Sequence, residues 1–284
     1  MKTEHVSKLQ KIKTYNSELK NNNSVYLFIN NTNIYRLLHH QSKTTIMTTL
    51  SKITIALILS LLLTSCSVNF GNGKKGNGVL TEQSRDIAAS FDRVSASEGI
   101  NVYVTQAKEF SIRVEADENV IDLIGTDVKD GKLKIHAIEN IGRATKNVHV
   151  TLPVITALYS SSGADLNSES QIEADEIDLK ASSGADIQIA LVANSVNADC
   201  SSGADIKLSG KTNNLTVNAS SGSDIDAREL KTKNCDADAS SGADISLDVS
   251  DSLIADASSG ADILYTGNAT VKKNKSSSGS VKKR

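Results

Sequence analysis

The chain has 284 residues, with 31 Lys and Arg against 33 Asp and Glu, one Pro, three Cys and no Trp. From Ser67 onward the balance is 23 basic against 31 acidic groups, a net charge of −8, and with the six basic groups of the last thirteen residues set aside the body stands near −14. A body this acidic excludes nucleic acid as the expected partner.

Residues 1–46 are rich in Asn, Lys and Ser without apolar periodicity and read as an upstream extension, with Met47 as the expected start. Residues 53 to 63, Ile-Thr-Ile-Ala-Leu-Ile-Leu-Ser-Leu-Leu-Leu, form an apolar run of eleven. A membrane span needs about 20. Lys52 precedes the run and Leu63-Thr64-Ser65-Cys66 follows it, the layout of a secretory signal over 47–65. The tetrapeptide resembles a bacterial lipobox, which implies acylation of Cys66 and a membrane anchor through that residue. Residues 66–85, with Gly71, Gly73, Gly76 and Gly78, read as a flexible linker.

Residues 86–158 alternate apolar and polar positions: Ile100, Val102 and Val104, then Phe110, Ile112 and Val114, then Leu133 and Ile135, then Val148, Val150 and Leu152. Period two with one buried face predicts strands. Lys129-Asp130-Gly131-Lys132 predicts a hairpin turn, and Glu118 to Ile124 one short helical turn.

Over 159–275 the tripeptide Ser-Ser-Gly recurs, with glycines at Gly163, Gly184, Gly203, Gly222, Gly242, Gly260 and, just beyond, Gly279, at spacings of 21, 19, 19, 20, 18 and 19. In six copies the second residue after glycine is aspartate: Asp165, Asp186, Asp205, Asp224, Asp244 and Asp262. Apolar residues stand three positions after each of these glycines (Leu166, Ile187, Ile206, Ile225, Ile245, Ile263). They also stand seven, five and three before it, as in Val196, Ala198 and Cys200. Each unit thus holds two short alternating strands around one turn. A unit of about nineteen residues cannot bury its apolar face alone, whereas stacked copies share one continuous core. The prediction is an all-β, right-handed parallel β-helix (β-solenoid) of about 18–21 residues per coil. The segment 276–284 is a basic tail.

Stacking sets the six aspartates in a file about 4.8 Å apart, where adjacent charges repel by about 1 kcal/mol in bulk water. Backbone N–H groups of its own turn are expected to hold each carboxylate by hydrogen bonds, and solvent to screen the rest, while the Ser hydroxyls also bond neighbouring backbone N–H groups. The alternative is Ca²⁺ between coils, a calcium-stabilised solenoid, although the nonapeptide calcium motif is absent. A carbohydrate-binding or polysaccharide-active β-helix is the other alternative; against it, the acidic groups are identical and repeated, the repeat has no His, and aromatic platforms are few. No catalytic residues and no cofactor are assigned. His136 and His149 read as lone strand residues. Cys200 and Cys235 occupy inward positions two coils apart, too far for a disulfide, and are expected as free thiols.

The run Phe91-Asp-Arg-Val-Ser-Ala-Ser-Glu-Gly-Ile-Asn-Val, centred on Gly99-Ile100-Asn101 and followed by the Ser-Gly-Ala-Asp series, resembles the head GIN domain family of autotransporter adhesins over about residues 86 to 275. The resemblance implies a right-handed β-helix behind a lipoprotein signal in Gram-negative bacteria of the Bacteroidetes type. The expected function is that of a non-enzymatic cell-envelope lipoprotein of the outer membrane, with an envelope protein or glycan as partner.

Overall fold

The computed structural model describes residues 52–55, 73–273 and 278–284. The chain divides into two compact units, Met1–Asn69 and Phe70–Arg284. Of the first, one helical turn from Lys52 to Ile55 is described. The extension 1–46, the rest of the expected signal and Cys66 lie outside the described residues. Among the described residues no helix is long and apolar enough to cross a membrane.

The second unit is a β-solenoid of about six turns. Its strands in chain order are β1 (Leu80–Ser84), β2 (Arg93–Ala96), β3 (Asn101–Gln106), β4 (Ser111–Asp117), β5 (Ile124–Lys129), β6 (Lys132–Ala137), β7 (Lys146–Leu152), β8 (Ala157–Ser161), β9 (Asp165–Ser168), β10 (Ile172–Ser182), β11 (Asp186–Ser201), β12 (Asp205–Ser220), β13 (Asp224–Ser240), β14 (Asp244–Ala257), β15 (Asp262–Thr266), β16 (Thr270–Lys273) and β17 (Ser280–Lys283). A single 3-10 turn, Ile121–Leu123, lies between β4 and β5.

From β10 to β14 each strand pairs in parallel with the next, and like stacks on like: Ile187, Ile206, Ile225, Ile245 and Ile263 form one buried file, and Val196, Leu215, Cys235 and Leu253 another. Burial of each large aliphatic side chain stabilises by about 1.5–3 kcal/mol. The small residues Ala181, Cys200, Ala219, Ala239 and Ala257 each stand three positions before a turn glycine, and all are buried.

Each full coil has three sides, one more than the two strands expected. In β11 these are Asp186–Ile189, Leu191–Ala193 and Val196–Ser201. Gly210 (φ 114°) lies next to the second corner, and paired outward residues such as Asn213 and Asn214 mark the third. The middle side is short and chemically uneven, with Leu191, Gly210 and Leu230 in one file, which hides its period in the sequence.

The N-terminal part follows a different order. β2 lies between β6 and β8, and β3 between β7 and β9, all in parallel. The first coil of the chain is therefore inserted between two later ones. Antiparallel strands finish this end: β4 pairs with β7 and β1, and β5 with β6 through the predicted hairpin, whose Asp130 and Gly131 have φ of 50° and 71°.

Two segments expected to be loose are built into the domain. Residues 73–84 of the expected linker pack on it: Lys74 bridges Ile141 and Gly78 N–H donates to the buried Asp117 carboxylate, which also accepts from Thr145 N–H at 2.7 Å. Glycine serves close approach here, since a Cβ at Gly76 would overlap that carboxylate. In the basic tail, β17 pairs with β15 and sets Val281 opposite Ile263.

Candidate functional site

The repeated turn begins with two residues in the left-handed region. Ser183 (φ 59°) and Gly184 (φ 66°) are followed by the same pair at each coil through Ser259 and Gly260. At the turns that end in Ala164, Ala243 and Ala261 the residue after glycine donates back three positions, as from Ala164 N–H to Ser161 O at 3.3 Å, the signature of a type I′ turn. Gly279 departs from the set: Ser278 keeps φ 66°, but Gly279 does not take positive φ, and its lack of a side chain makes room for the Ala257 carbonyl.

Asp165, Asp186, Asp205, Asp224, Asp244 and Asp262 stand in one file across six coils, each in register with the next. The four central carboxylates are exposed and the terminal two half-buried. None accepts a hydrogen bond from its own turn, contrary to expectation, and the turn Ser hydroxyls hold none of them. The reason is that the turn N–H groups serve the neighbouring coils: Gly184 N–H donates to Ser202 O at 3.2 Å, and Asp205 N–H to Ala185 O at 3.1 Å. Partial burial, with the facing Asp165 and Asp205, pushes Asp186 above its ordinary range; partial burial, with Asp244 and Asp205, does the same to Asp224. Among the described residues no cluster of three or more His, Cys, Asp or Glu side chains has a metal-holding arrangement: the carboxylates lie in a line and do not converge.

The file extends further than the aspartates. Glu98 and Gly99 have φ of 64° and 66°, and Gly99 N–H donates to Ser162 O at 3.1 Å. Asn101 is in register with Asp165 on one side and Asn147 on the other. The Gly-Ile-Asn triplet is thus another rung of the same turn, with Asn in place of Asp, a likeness legible in the spacing of Gly99 and Asn101 but missed. Here the amides bond along the file: Asn101 Nδ2 donates to Asn147 Oδ1 at 3.1 Å, and Asn147 Nδ2 to Glu115 Oε2 at 2.9 Å.

Beside these amides lies a patch of unlike groups that sequence reading left as scattered residues. His149 stacks on Tyr103 (centroids 5.0 Å apart, 19° between planes), and its Nδ1 is 3.6 Å from Glu169 Oε1. Thr105 Oγ1 donates to Glu169 Oε2 at 3.1 Å, and Arg113 pairs with Glu82 at 2.6 Å. A groove of about 490 Å³ runs here past Asp86, Phe110, Arg113, His149 and Glu169. His136, the other strand histidine, faces Asp127 at 3.5 Å.

Cys200 and Cys235 are free and buried. Cys200 Sγ donates to the Ala204 carbonyl at 2.9 Å, as Ser160 Oγ at the equivalent position does to Ala164 O at 2.7 Å.

A family model described as "Putative auto-transporter adhesin, head GIN domain" matches residues 90–269. A crystal structure of a "putative adhesin" from Bacteroides fragilis is similar, with a TM-score of 0.66 at 21% identity over 75% of this chain and 100% of that one. A "putative lipid binding protein" from Parabacteroides distasonis has a TM-score of 0.61 at 17% identity over 74% and 98%. A "putative adhesin" from the same organism has a TM-score of 0.61 at 19% identity over 75% and 100%. At these identities the likeness shows the fold. No curated protein matches the sequence.

Proposed function

Since this chain belongs to the head GIN domain family of auto-transporter adhesins, we propose that it is a non-enzymatic binding head, held at the outer membrane by a lipid on Cys66, which engages an envelope protein or glycan. The observation that carries this reading is the file of six carboxylates in register, without a hydrogen-bond or ion-pair partner among the described residues. A repeat of about 4.8 Å offers an extended partner the same acceptor again and again, and linked weak contacts add by avidity. A diacylglyceryl group would bury dozens of methylenes at about 0.8 kcal/mol each, so one modified cysteine suffices as an anchor.

Two measurements test this. Cys66→Ser should abolish metabolic labelling with an alkyne-bearing fatty acid and release the chain from the membrane fraction; retention there with undiminished label sinks the anchor. For the head, wild type and a variant with Asp186, Asp205, Asp224 and Asp244 changed to Asn are compared on glycan arrays and immobilised envelope proteins. Loss of binding by the folded variant is expected, and equal binding removes the file as the contact surface.

Carbohydrate binding has one specific observation in its favour. The groove past Arg113, His149 and Glu169 mixes donors and acceptors beside the apolar Phe110, as recognition of a polyol requires. On the same arrays, Glu169→Ala should remove any glycan signal that survives the four-Asn variant.

A further inference from the structure

After Gly184 the spacing departs from nineteen only in two successive coils, twenty between Gly222 and Gly242 and eighteen between Gly242 and Gly260. The mismatch falls mainly on the middle side and its corners. Pairing of β12 with β13 shifts between Lys207 and Ser209, and pairing of β13 with β14 shifts between Ala227 and Lys231 and between Thr232 and Asn234. Irregularities of this kind re-aim side chains and break a flat sheet surface. At this place a groove of about 410 Å³ opens, lined by Val192, Ala193, Lys211, Lys231, Lys233 and Asp248 among others.

Its chemistry differs from the rest of the body. Three lysines gather on a solenoid that is otherwise strongly acidic. Lys231 is ion-paired with Asp248, whereas among the described residues neither Lys211 nor Lys233 has an acidic partner. Lys211 is in register with Lys231, and Lys233 lies two positions further along the same exposed row. The two free ammoniums are therefore diagonal neighbours on adjacent strands, a separation that long side chains bridge. The threonine hydroxyls of the groove are taken by backbone carbonyls, Thr212 by Asn214 O at 3.0 Å and Thr232 by Leu230 O at 3.3 Å. The groove therefore offers a ligand positive charge, hydrocarbon from Val192, which is 40% exposed, and the neighbouring polar Asn213 and Ser250.

We propose that this groove binds a small amphipathic anion, its oxyanion held between Lys211 and Lys233 and its hydrocarbon part lying over Val192. The site is on a different side of the coil from the aspartate file and does not depend on it. Charge-assisted hydrogen bonds to an oxyanion are about twice as strong as neutral ones, and the adjoining apolar wall adds burial that a bare ion cannot use.

Isothermal titration of the full chain with octyl phosphate below its micelle concentration, inorganic phosphate and octyl glucoside separates the two contributions. Saturable binding of octyl phosphate is expected, roughly tenfold tighter than either of the others. The double variant Lys211→Gln, Lys233→Gln should weaken it by a similar factor with unchanged melting temperature. Asp248→Asn, which frees Lys231, should tighten it. Absence of binding, equal affinity for octyl glucoside or for inorganic phosphate, or indifference to the double variant would each overturn the proposal.

Discussion

Serine in the first left-handed position of each Ser-Ser-Gly turn is a compromise repeated from coil to coil. Ser202 has φ 59°, a conformation that disfavours an L-residue by about 1–2 kcal/mol, while Asn tolerates it better. Ser202→Asn is therefore expected to raise stability by a fraction of that amount in urea titration. At Gly203, where a Cβ would meet nothing within 4 Å, substitution by Ala is penalised through the backbone alone, so a loss of about 1–2 kcal/mol is expected. Two of the turn aspartates, Asp186 and Asp224, act in the opposite sense to most native carboxylates. Because burial and neighbouring charges raise the folded-state values of Asp186 and Asp224, the folded state binds protons more readily than the unfolded one. These groups therefore oppose folding at neutral pH and relent as pH falls towards the ordinary value of 3.8. Asp224→Asn should stabilise by about 0.2–1 kcal/mol at pH 7, and the gain should vanish below that ordinary value; a gain that persists in acid would contradict the electrostatic cause. Burial pushes the Cys200 and Cys235 thiols up to about 12. A maleimide should therefore label neither in the native protein and both in denaturant.

At the scale of the coil, stability comes from files of like residues. Ile206 is stacked between Ile187 and Ile225 and is 1% exposed. Ile206→Ala is expected to lower stability by about 2–5 kcal/mol, because the flanking coils hold the cavity open. Since the aspartates do not converge, thermal melts in calcium and in chelator should coincide; a rise in melting temperature with calcium would require ligands shared between coils. The first and third sides of the coil were legible because Ile225 and Ala237 and their counterparts repeat at constant distance from the turn glycine. The middle side was not. There Gly210 stands in the file of Leu191 and Leu230, and changes in coil length slide the register, so no constant distance exists to be read.

Over the whole second unit, neighbouring coils supply nearly all contacts, which makes stability close to a sum over interfaces. Amide exchange should be slowest in β11 to β13, each flanked by complete coils, and faster in β15 to β17. Uniform protection along the chain would show a single cooperative block instead. The N-terminal order, with β2 and β3 between β6–β7 and β8–β9, departs from the one-after-another winding that the repeat suggests. Its strands were readable from alternation, as in Val102 and Val104, but their neighbours were not, because pairing across 39 to 64 residues leaves no periodic trace. The same holds for Gly73 and Gly76. Local composition marks them as flexible, while the buried carboxylate of Asp117 that fixes this segment is some forty residues away in sequence.

The sequence by itself determined that the repeat winds as a solenoid, where the turns fall, which residues face inward and that the aspartates form a file. All of these follow from a short period, and a short period constrains every coil in the same way. Only the tertiary structure decided that the turn carboxylates lack partners among the described residues, that Gly99 to Asn101 is one of their rungs, and that Lys211 and Lys233 meet at an exposed valine. Those relations depend on which coil lies beside which and on how unequal coils are fitted together, and a linear pattern carries no record of either.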